Sequence, residues 1–287
     1  MPRITTPSSD CKIAAITMVR DDEFFLHKWV NHYGKQFGVE NLFVFFDGSD
    51  QQVPSFCDGV NTRVVEKIGD TVLSSDKGRI RFLSSVASKL FTLGYDIVVG
   101  GDADEYLVVD PLAGMSLKEF LQDKKGYSTI SGLGLDFGQK LDAESPLTIS
   151  EPFLQQRKYA QIGTRYTKAS VIYRPSEWGS GFHRVKGTNF HIAKQLYLMH
   201  FGYSDMKMIE GRLGNPDRLQ QGWEHHVRKR SRTIRLVNSL PSRDFDSTVK
   251  WARTLESWCR PPYAWNKPGL LGMKVVVEIP ERFRNCL

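Results

Sequence analysis

The sequence predicts an α/β fold whose central sheet is mostly parallel and is flanked by helices. Segments with strand-like and helix-like apolar patterns alternate over residues 12–100, which favours a parallel sheet covered by helices. The strands predicted at 41–46 and 96–100 both run into acidic residues. A composition with 40% hydrophobic and 25% charged residues excludes disordered, collagen-like and coiled-coil chains.

The first strand, helix and second strand have clear boundaries. Residues 12–19 are rich in Ile, Ala and Val and predict a buried strand. From Asp21 onward apolar residues recur at helical spacing, with acidic residues in the first turn, until Gly38 ends the helix. Residues 41–46 predict the next strand, which turn-forming residues end. This order predicts a parallel crossover connection.

The later elements predict a mixed second half. We expect a strand at 62–66, a helix at 77–93 and the fourth strand at 96–100. Beyond about residue 127 the segments shorten and glycines become more frequent. Strands are predicted at 127–132, 169–174, 195–201 and 274–279, helices at 205–211 and 218–240, and a loop-like tail from about 260. We interpret residues 1–287 as one domain with parts at about 10–110, 111–210 and 211–287.

Charge, cysteine content and hydropathy restrict the function classes. Of a net charge of +7, an excess of five positive charges lies within residues 212–236. Such a segment suits an anionic partner, whether phosphate groups, a membrane surface or nucleic acid. The 4 cysteines lack a CxxC spacing, so we expect free thiols. The sequence shows neither an apolar run long enough for a membrane span nor a signal-peptide pattern, so we expect a cytoplasmic protein.

An Asp-x-Asp motif follows the fourth predicted strand. Within residues 97–107, the apolar strand ends at Gly100 and Gly101 and is followed by Asp102 and Asp104. Mg²⁺ and Mn²⁺ bind oxygen ligands and often use one or two carboxylates together with substrate phosphates. The glycines would let a ligand approach the backbone. The alternative is a pair of solvated acids in a turn.

Two histidines are candidates for an imidazole role. His200 closes the apolar strand predicted at 195–201, where it is either a hydrogen-bonded core residue or a ligand. His183 lies in the glycine-rich loop at 178–184 and is the rival candidate. His225 and His226 lie in the basic segment, and we expect them on the surface.

Together these motifs resemble GT-A fold glycosyltransferases of the family 2-like and family 92-like groups. Residues 18–29 and 43–50 resemble those families' strand, Lys-Asn-Glu, Leu-x-x-Trp helix and strand ending in Asp-Asn-Gly-Ser. Residues 101–107 resemble their Asp-x-Asp-Glu-Phe-Leu motif. The resemblance covers about residues 12–110 and extends more loosely to His200.

The resemblance implies a GT-A (Rossmann-like) fold and a metal-dependent glycosyltransferase of the hexosyltransferase type. It would transfer a sugar from a nucleoside-diphosphate sugar to a saccharide or glycolipid acceptor, using Mn²⁺ or Mg²⁺, in the synthesis of surface polysaccharides or glycolipids. The implied metal ligands are Asp102, Asp104 and His200. The implied donor contacts are Val19, Arg20, Asp47, Asp102 and Ala103. The family's Lys-Asn-Glu is replaced by Arg-Asp-Asp at 20–22, which shortens the last side chain.

Further site residues follow from their chemistry or their position. Arg79 and Arg81 lie on the helix before the strand at 96–100, which the Asp-x-Asp motif follows. Their guanidinium groups either contact donor phosphates or are solvated. Inverting transfer requires a base, and residues 132–138 resemble the families' acceptor region, so Asp136 is the expected base unless it only holds a loop. The alternative bases are Glu144 and Glu151. The candidate acceptor contacts are Lys168, Arg174, Trp178 and His183.

The remaining interpretations concern partners and other activities. The basic helix from Arg228 to Arg235 is either solvated or docks on an anionic membrane at its inner face, which would suit a lipid-linked acceptor. An aspartate-dependent phosphohydrolase is one alternative function, although its motif usually follows the first strand. A basic glycan-binding or nucleic-acid-binding module is another. No nucleic-acid-binding motif accompanies the basic segment, so we expect no nucleic acid partner.

Overall fold

The fold is an α/β arrangement of one large mixed sheet flanked by helices. Residues 11–69, 72–213, 232–269 and 272–287 are described by the structure, which is a computed structural model. Among these residues the strands are β1 (Ile13–Val19), β2 (Leu42–Asp47), β3 (Asn61–Val65), β4 (Ile97–Gly100), β5 (Glu105–Val109), β6 (Thr129–Phe137), β7 (Tyr159–Ile162), β8 (Val171–Ile172), β9 (Ile192–His200), β10 (Ser242–Arg243) and β11 (Val276–Glu278). The helices are α1 (Glu23–Phe37), α2 (Val72–Thr92), α3 (Leu117–Asp123), α4 (Phe153–Gln156), α5 (Met206–Leu213), α6 (Arg232–Ser239) and α7 (Phe245–Trp258).

The sheet is mixed, which corrects the prediction of a mostly parallel sheet. Its main path runs β10-β11-β7-β6-β8-β4-β1-β2-β3. Strands β3, β2, β1 and β4 are mutually parallel, whereas β8 is antiparallel to both β4 and β6. Parallel neighbours need a crossover connection of about a dozen residues or more, usually a helix. The long helical connections lie in the first part of the chain, where β1 to β4 run parallel. In the second part β6 is parallel to β9 and β10 to β11, whereas the other pairs are antiparallel.

Strand β1 lies in the centre of the parallel part and packs helices on both faces. All of its residues are buried, and alternate side chains point to opposite faces. Ile13 and Ala15 pack in the same cluster as the apolar face of α1, which includes Trp29. Ala14 and Ile16 pack in a second cluster with the apolar face of α2. The predicted strand, helix and strand are confirmed, and β1 pairs in parallel with β2.

Strand β9 lies off the main path of the sheet and contains an irregularity. It pairs antiparallel with β5 on one side and parallel with β6 on the other. Ser131 of β6 pairs with Ile192, but Leu133 already pairs with Tyr197, so several β9 residues bulge between these two pairs. Gln195 within the bulge has a φ of 60°. The bulge therefore sets the register of the last part of β9.

Several elements differ from the sequence predictions. Strand β5 and helix α7 were not predicted; α7 begins after Asp244, whose side chain accepts a hydrogen bond from the amide of Ser247. Helix α2 begins at Val72, earlier than the predicted residue 77. Of the helix predicted at 218–240, the described part is α6, and residues 214–231 lie outside the description. The predictions for His225, His226 and Arg228 therefore lie outside it too.

The structure also bears on the state of the cysteines and on membrane-spanning helices. All four cysteines are free, as predicted. In the described ranges, no helix combines the length and apolar character that crossing a bilayer requires.

Candidate metal centre

Strand register brings three candidate residues to one place. In the antiparallel pair β5–β9, Glu105 lies opposite His200. In the parallel pair β6–β9, Asp136 lies beside the same histidine. Asp104 immediately precedes β5, in the short turn after β4. The carboxyl end of β4 therefore meets the end of β9, and carboxylates surround His200.

Asp104, Glu105 and His200 form a group that could hold a metal ion. One ligand atom from each residue lies within 4.8 Å of the others. Nε2 of His200 lies 3.4 Å from Oδ2 of Asp104. The structure thus brings together Asp104 and His200, which were predicted as ligands. Glu105 was not predicted, although the sequence signal was present as the third acid of the Asp-x-Asp-Glu motif.

The donor set fits a divalent cation. Glu105 is 1% exposed; its Oε1 lies 2.5 Å from Nζ of Lys168, while its Oε2 is buried without a hydrogen-bond partner. Burial raises the pKa of Glu105 to about 7, against the lowering effect of Lys168. A buried carboxylate oxygen without a partner is unfavourable unless a ligand satisfies it. Carboxylates with an imidazole suit Mn²⁺, and carboxylate oxygens suit Mg²⁺.

His200 is held from two sides. Its Nδ1 lies 2.7 Å from Oδ1 of Asp136, and its ring stacks on Tyr166 with centroids 3.9 Å apart. Burial lowers the pKa of His200, but Asp104 and Asp136 together raise it to about 9. Histidines that bind metals commonly place a carboxylate on the other ring nitrogen, which fixes the ring orientation. Asp136 occupies that position here.

Both oxygens of Asp136 have partners. Oδ1 contacts His200, and Oδ2 accepts a hydrogen bond from Oγ1 of Thr233 on α6. Helix α6 approaches closely because Gly138 has no side chain: a Cβ there would lie 3.0 Å from the backbone of Thr233. The structure therefore places the predicted base beside His200, with 9% of its side chain exposed.

The alternative bases have other contacts. The carboxylate of Glu144 accepts hydrogen bonds from the amides of Lys140 and Lys158, at 2.7 and 2.8 Å. Glu151 is exposed, and its backbone oxygen accepts a hydrogen bond from Lys28. The structure does not bring either side chain into the group around His200.

Asp102 is fixed by two cations. Arg79 pairs with Oδ1, and Nζ of Lys168 lies 3.0 Å from Oδ2. Burial acts to raise the pKa of Asp102, but these two cations hold it well below its usual range. Lys168 also pairs with Glu105, so this predicted acceptor contact bridges two carboxylates. Asp102 is not one of the three grouped ligands.

The ends of β1 and β4 border the crevice expected for a nucleotide. Oγ1 of Thr17 donates a hydrogen bond to the backbone oxygen of Gly101, which ties the two strand ends together. Along the sheet, β1 connects to β2 on one side and lies beside β4 on the other. Ligands of open α/β sheets bind where the strand order reverses in this way. Val19 and Ala103 are buried at these ends.

Two further predicted donor contacts lie at the end of β2. Nη1 of Arg20 donates a hydrogen bond to the backbone oxygen of Asp47 at 2.7 Å, and the guanidinium also pairs with Asp50. The side chain of Asp47 accepts a hydrogen bond from the amide of Ile68. These contacts connect the turn after β1 to the end of β2.

The other predicted contacts are dispersed. Arg81 is exposed on α2, and Arg174 is exposed after β8. Trp178 is buried, donates from its indole nitrogen to the backbone of Ala169 and packs in the cluster under α2. His183 is half-buried beside Gly181.

A cleft of about 190 Å³ is lined in part by Asp136. Tyr166, which stacks on His200, also lines it. Arg165 and Arg232 stand on its wall, and neither forms an ion pair with a carboxylate in the portion of the chain that the structure describes. The cleft therefore presents positive charge next to Asp104, Glu105 and His200, which we call the metal group.

Comparisons with known proteins give a weak structural similarity and no sequence match. No protein-family model matches the chain, and no curated protein matches it. Among solved structures, the chain is similar to mannose-1-phosphate geranyltransferase from Thermus thermophilus, with a TM-score of 0.30 and 10% sequence identity. The match covers 80% of this chain and 65% of the length of that structure.

Proposed function

We propose that this protein is a divalent-metal-dependent glycosyltransferase. It transfers a sugar from a nucleoside-diphosphate sugar to a saccharide or glycolipid acceptor. The observation that carries the proposal is the position of His200 between Asp104 and Asp136, next to the carboxyl end of a parallel strand. A metal held here would lie beside the strand ends at which such sheets bind nucleotides. Binding of a sugar diphosphate requires this proximity.

Each group of residues has a proposed task at the donor. Asp104, Glu105 and His200 would hold the metal, and the buried Oε2 of Glu105 supports this assignment. A bound Mn²⁺ or Mg²⁺ would neutralise the charge that develops on the leaving diphosphate. Lys168 holds the carboxylates of Asp102 and Glu105 in place. Val19, Arg20, Asp47 and Ala103 border the proposed nucleoside site.

Asp136 acts as a positioning residue in this proposal. Its two oxygens are engaged by His200 and Thr233, which favours orientation of the imidazole over the catalytic-base role expected from sequence. The acceptor would enter the adjoining cleft, where Arg165 and Arg232 provide cationic contacts. Inversion at the anomeric carbon stays a prediction, and NMR of the product would test it.

The test is calorimetric titration of the full chain with nucleoside diphosphates and their sugars, with and without Mn²⁺. We expect metal-dependent binding of one nucleotide class, lost in Asp104→Asn and retained in the exposed control Asp142→Asn. Folded protein that binds no nucleotide in either condition would contradict the proposal.

The phosphohydrolase alternative requires Asp102 as a nucleophile. Its oxygens are both in ion pairs, with Arg79 and Lys168, which argues against that role. Release of phosphate from simple phosphoesters, abolished by Asp102→Asn, would restore that alternative.

A further inference from the structure

The C-terminal part of the chain exposes a concentration of aromatic side chains. Trp251 is 50% exposed, Trp258 81%, Tyr263 70% and Trp265 59%. Single exposed apolar residues are common on protein surfaces, whereas a cluster of large ones marks an interaction surface. We call these four residues the aromatic face.

Helix α7 supplies one part of the aromatic face. Trp251 and Trp258 are two helical turns apart, so they lie on the same side of the helix about 10 Å apart along its axis. The opposite side of α7 is buried through Phe245, Val249 and Ala252. The tryptophans therefore point away from the core.

The loop after α7 supplies the other part and is held in shape. The amide of Gly269 donates to the backbone oxygen of Cys259 at 2.9 Å, which closes the loop at its base. Nε of Arg260 donates to the backbone oxygen of Trp265 at 2.7 Å. Buried Asn266 donates to the backbone oxygen of Val185 at 2.7 Å, which anchors the loop to the domain. The aromatic side chains of this loop are thus displayed by an ordered backbone.

Residues 247–269, which carry the aromatic face, have an excess of positive charge. Lys250 is exposed beside Trp251, and Nζ of Lys267 lies 4.7 Å from the centroid of the Tyr263 ring. Within residues 247–269 the one carboxylate is Glu256, which is 0% exposed. The surface therefore combines aromatic rings and positive charge without exposed negative charge in this range.

We propose that the aromatic face docks on the interface of an anionic lipid bilayer. Trp and Tyr are favoured at the boundary between headgroups and acyl chains because their rings are apolar with a polar edge. Each basic residue near an anionic leaflet adds about 1 kcal/mol of attraction. The charge pattern thus selects an anionic bilayer over an uncharged partner surface. This assignment does not depend on the proposed donor chemistry.

A buried hydrogen bond connects the helix that carries part of the docking surface to the candidate site. Oγ1 of Thr167 donates to Oε2 of Glu256, which links α7 to the segment that carries Lys168. Docking through α7 would hold the metal group at a fixed relation to the bilayer. A lipid-linked acceptor would then reach the site at a fixed distance from the bilayer surface.

The test is sedimentation of the full chain with vesicles of phosphatidylcholine alone or mixed equally with phosphatidylglycerol. The variant replaces all four residues of the aromatic face with Ala, and the matched control carries Leu93→Ala and Leu112→Ala at positions that are each 70% exposed. We expect the wild-type protein to bind the anionic vesicles. The affinity of the variant for these vesicles should be at least about tenfold lower, and the control should bind like the wild type.

Tryptophan fluorescence provides a second readout. With Trp223→Phe added to both proteins, lipids brominated on their acyl chains should quench the emission of the protein that keeps the aromatic face. They should not quench the emission of Trp29 and Trp178 that remains in the variant, since both are buried. Binding that is absent at low salt, or equal in variant and wild type, would overturn the proposal.

Two other occupants would also overturn the proposal. Dimerisation in solution that the variant abolishes, without vesicle binding, would assign the surface to a second copy of the chain. Quenching by soluble saccharides without vesicle binding would assign it to a glycan. Circular dichroism and urea denaturation, compared between variant and wild type, show whether the variant is folded, and this control does not rely on the proposed function.

Discussion

Nδ1 of His200 lies 2.7 Å from Oδ1 of Asp136, while Nε2 of the same ring lies 3.4 Å from Asp104. A hydrogen bond from Nδ1–H to Asp136 leaves Nε2 as the nitrogen that a cation would bind. A bound cation would take the place of the Nε2 proton that His200 carries near neutral pH, since its neighbouring carboxylates raise its pKa to about 9. The histidine therefore has an orienting side and a ligand side. Variants on the two sides should have different effects.

Asp136→Asn should weaken metal binding without abolishing it. Loss of the carboxylate removes the charge that orients His200, and such outer partners contribute about 10-fold to 100-fold in metal affinity. Titration with Mn²⁺, followed by electron paramagnetic resonance, measures the change, with Asp142→Asn as the exposed control. Unchanged metal affinity together with a lost transfer rate would instead support the catalytic-base role.

Gly202→Ala should disrupt the same group by steric overlap. A Cβ at this position would overlap Oδ2 of Asp104 and lie 3.0 Å from Nε2 of His200. The carboxylate would have to move away from the histidine, so we expect Mn²⁺ affinity to fall at least about tenfold. Gly126→Ala is the control, because a Cβ there meets no atom within 4 Å. Equal affinities in the two variants would contradict the assigned ligand position.

Lys168→Met should destabilise the protein. The lysine side chain is 5% exposed and pairs with Glu105, which is 1% exposed, so its removal leaves a buried carboxylate without its cation. Breaking one partner of a buried ion pair costs about 3–5 kcal/mol in the free energy of unfolding. Urea denaturation measures this loss. The double variant with Glu105→Gln should recover part of it, and a loss that the second change deepens would count against the pairing.

Glu256→Gln should change how stability depends on pH. Burial raises the pKa of Glu256 from 4.5 to about 7, although Thr167 and Arg253 act to lower it. Between these values the folded state binds more protons than the unfolded state, so this group makes the protein less stable as pH rises.

The comparison of the variant with wild type isolates that contribution. The free energy of unfolding of Glu256→Gln, relative to wild type, should rise between pH 4.5 and 7 by up to about 3 kcal/mol. Urea denaturation at several pH values measures the difference. A difference that stays constant with pH would show that Glu256 titrates normally.

Local patterns predicted the first half of the fold well. The apolar run of β1, the helical spacing of α1 and the glycine after Phe37 are all encoded within short stretches. The Asp-x-Asp motif likewise indicated Asp104 from its own neighbours. Elements that form through nearby residues can be predicted in this way.

The relations between distant residues could not be predicted. The contact of Asp136 with His200 depends on the register of β6 against β9, and the bridge from Lys168 to Glu105 depends on how the chain returns beside β5. Gly202 carried no signal because its constraint comes from Asp104 in a distant part of the sequence. Register between distant strands is set by tertiary packing and not by local composition.

The bulge in β9 makes the length of this strand a determinant of the metal group. Side chains alternate between the faces of a strand, so insertion or deletion of one residue near Gln195 would turn His200 to the opposite face. Substitutions at most positions of the bulge would leave that alternation intact. Along this stretch of chain, the spacing of residues therefore constrains the site more strongly than their identity does.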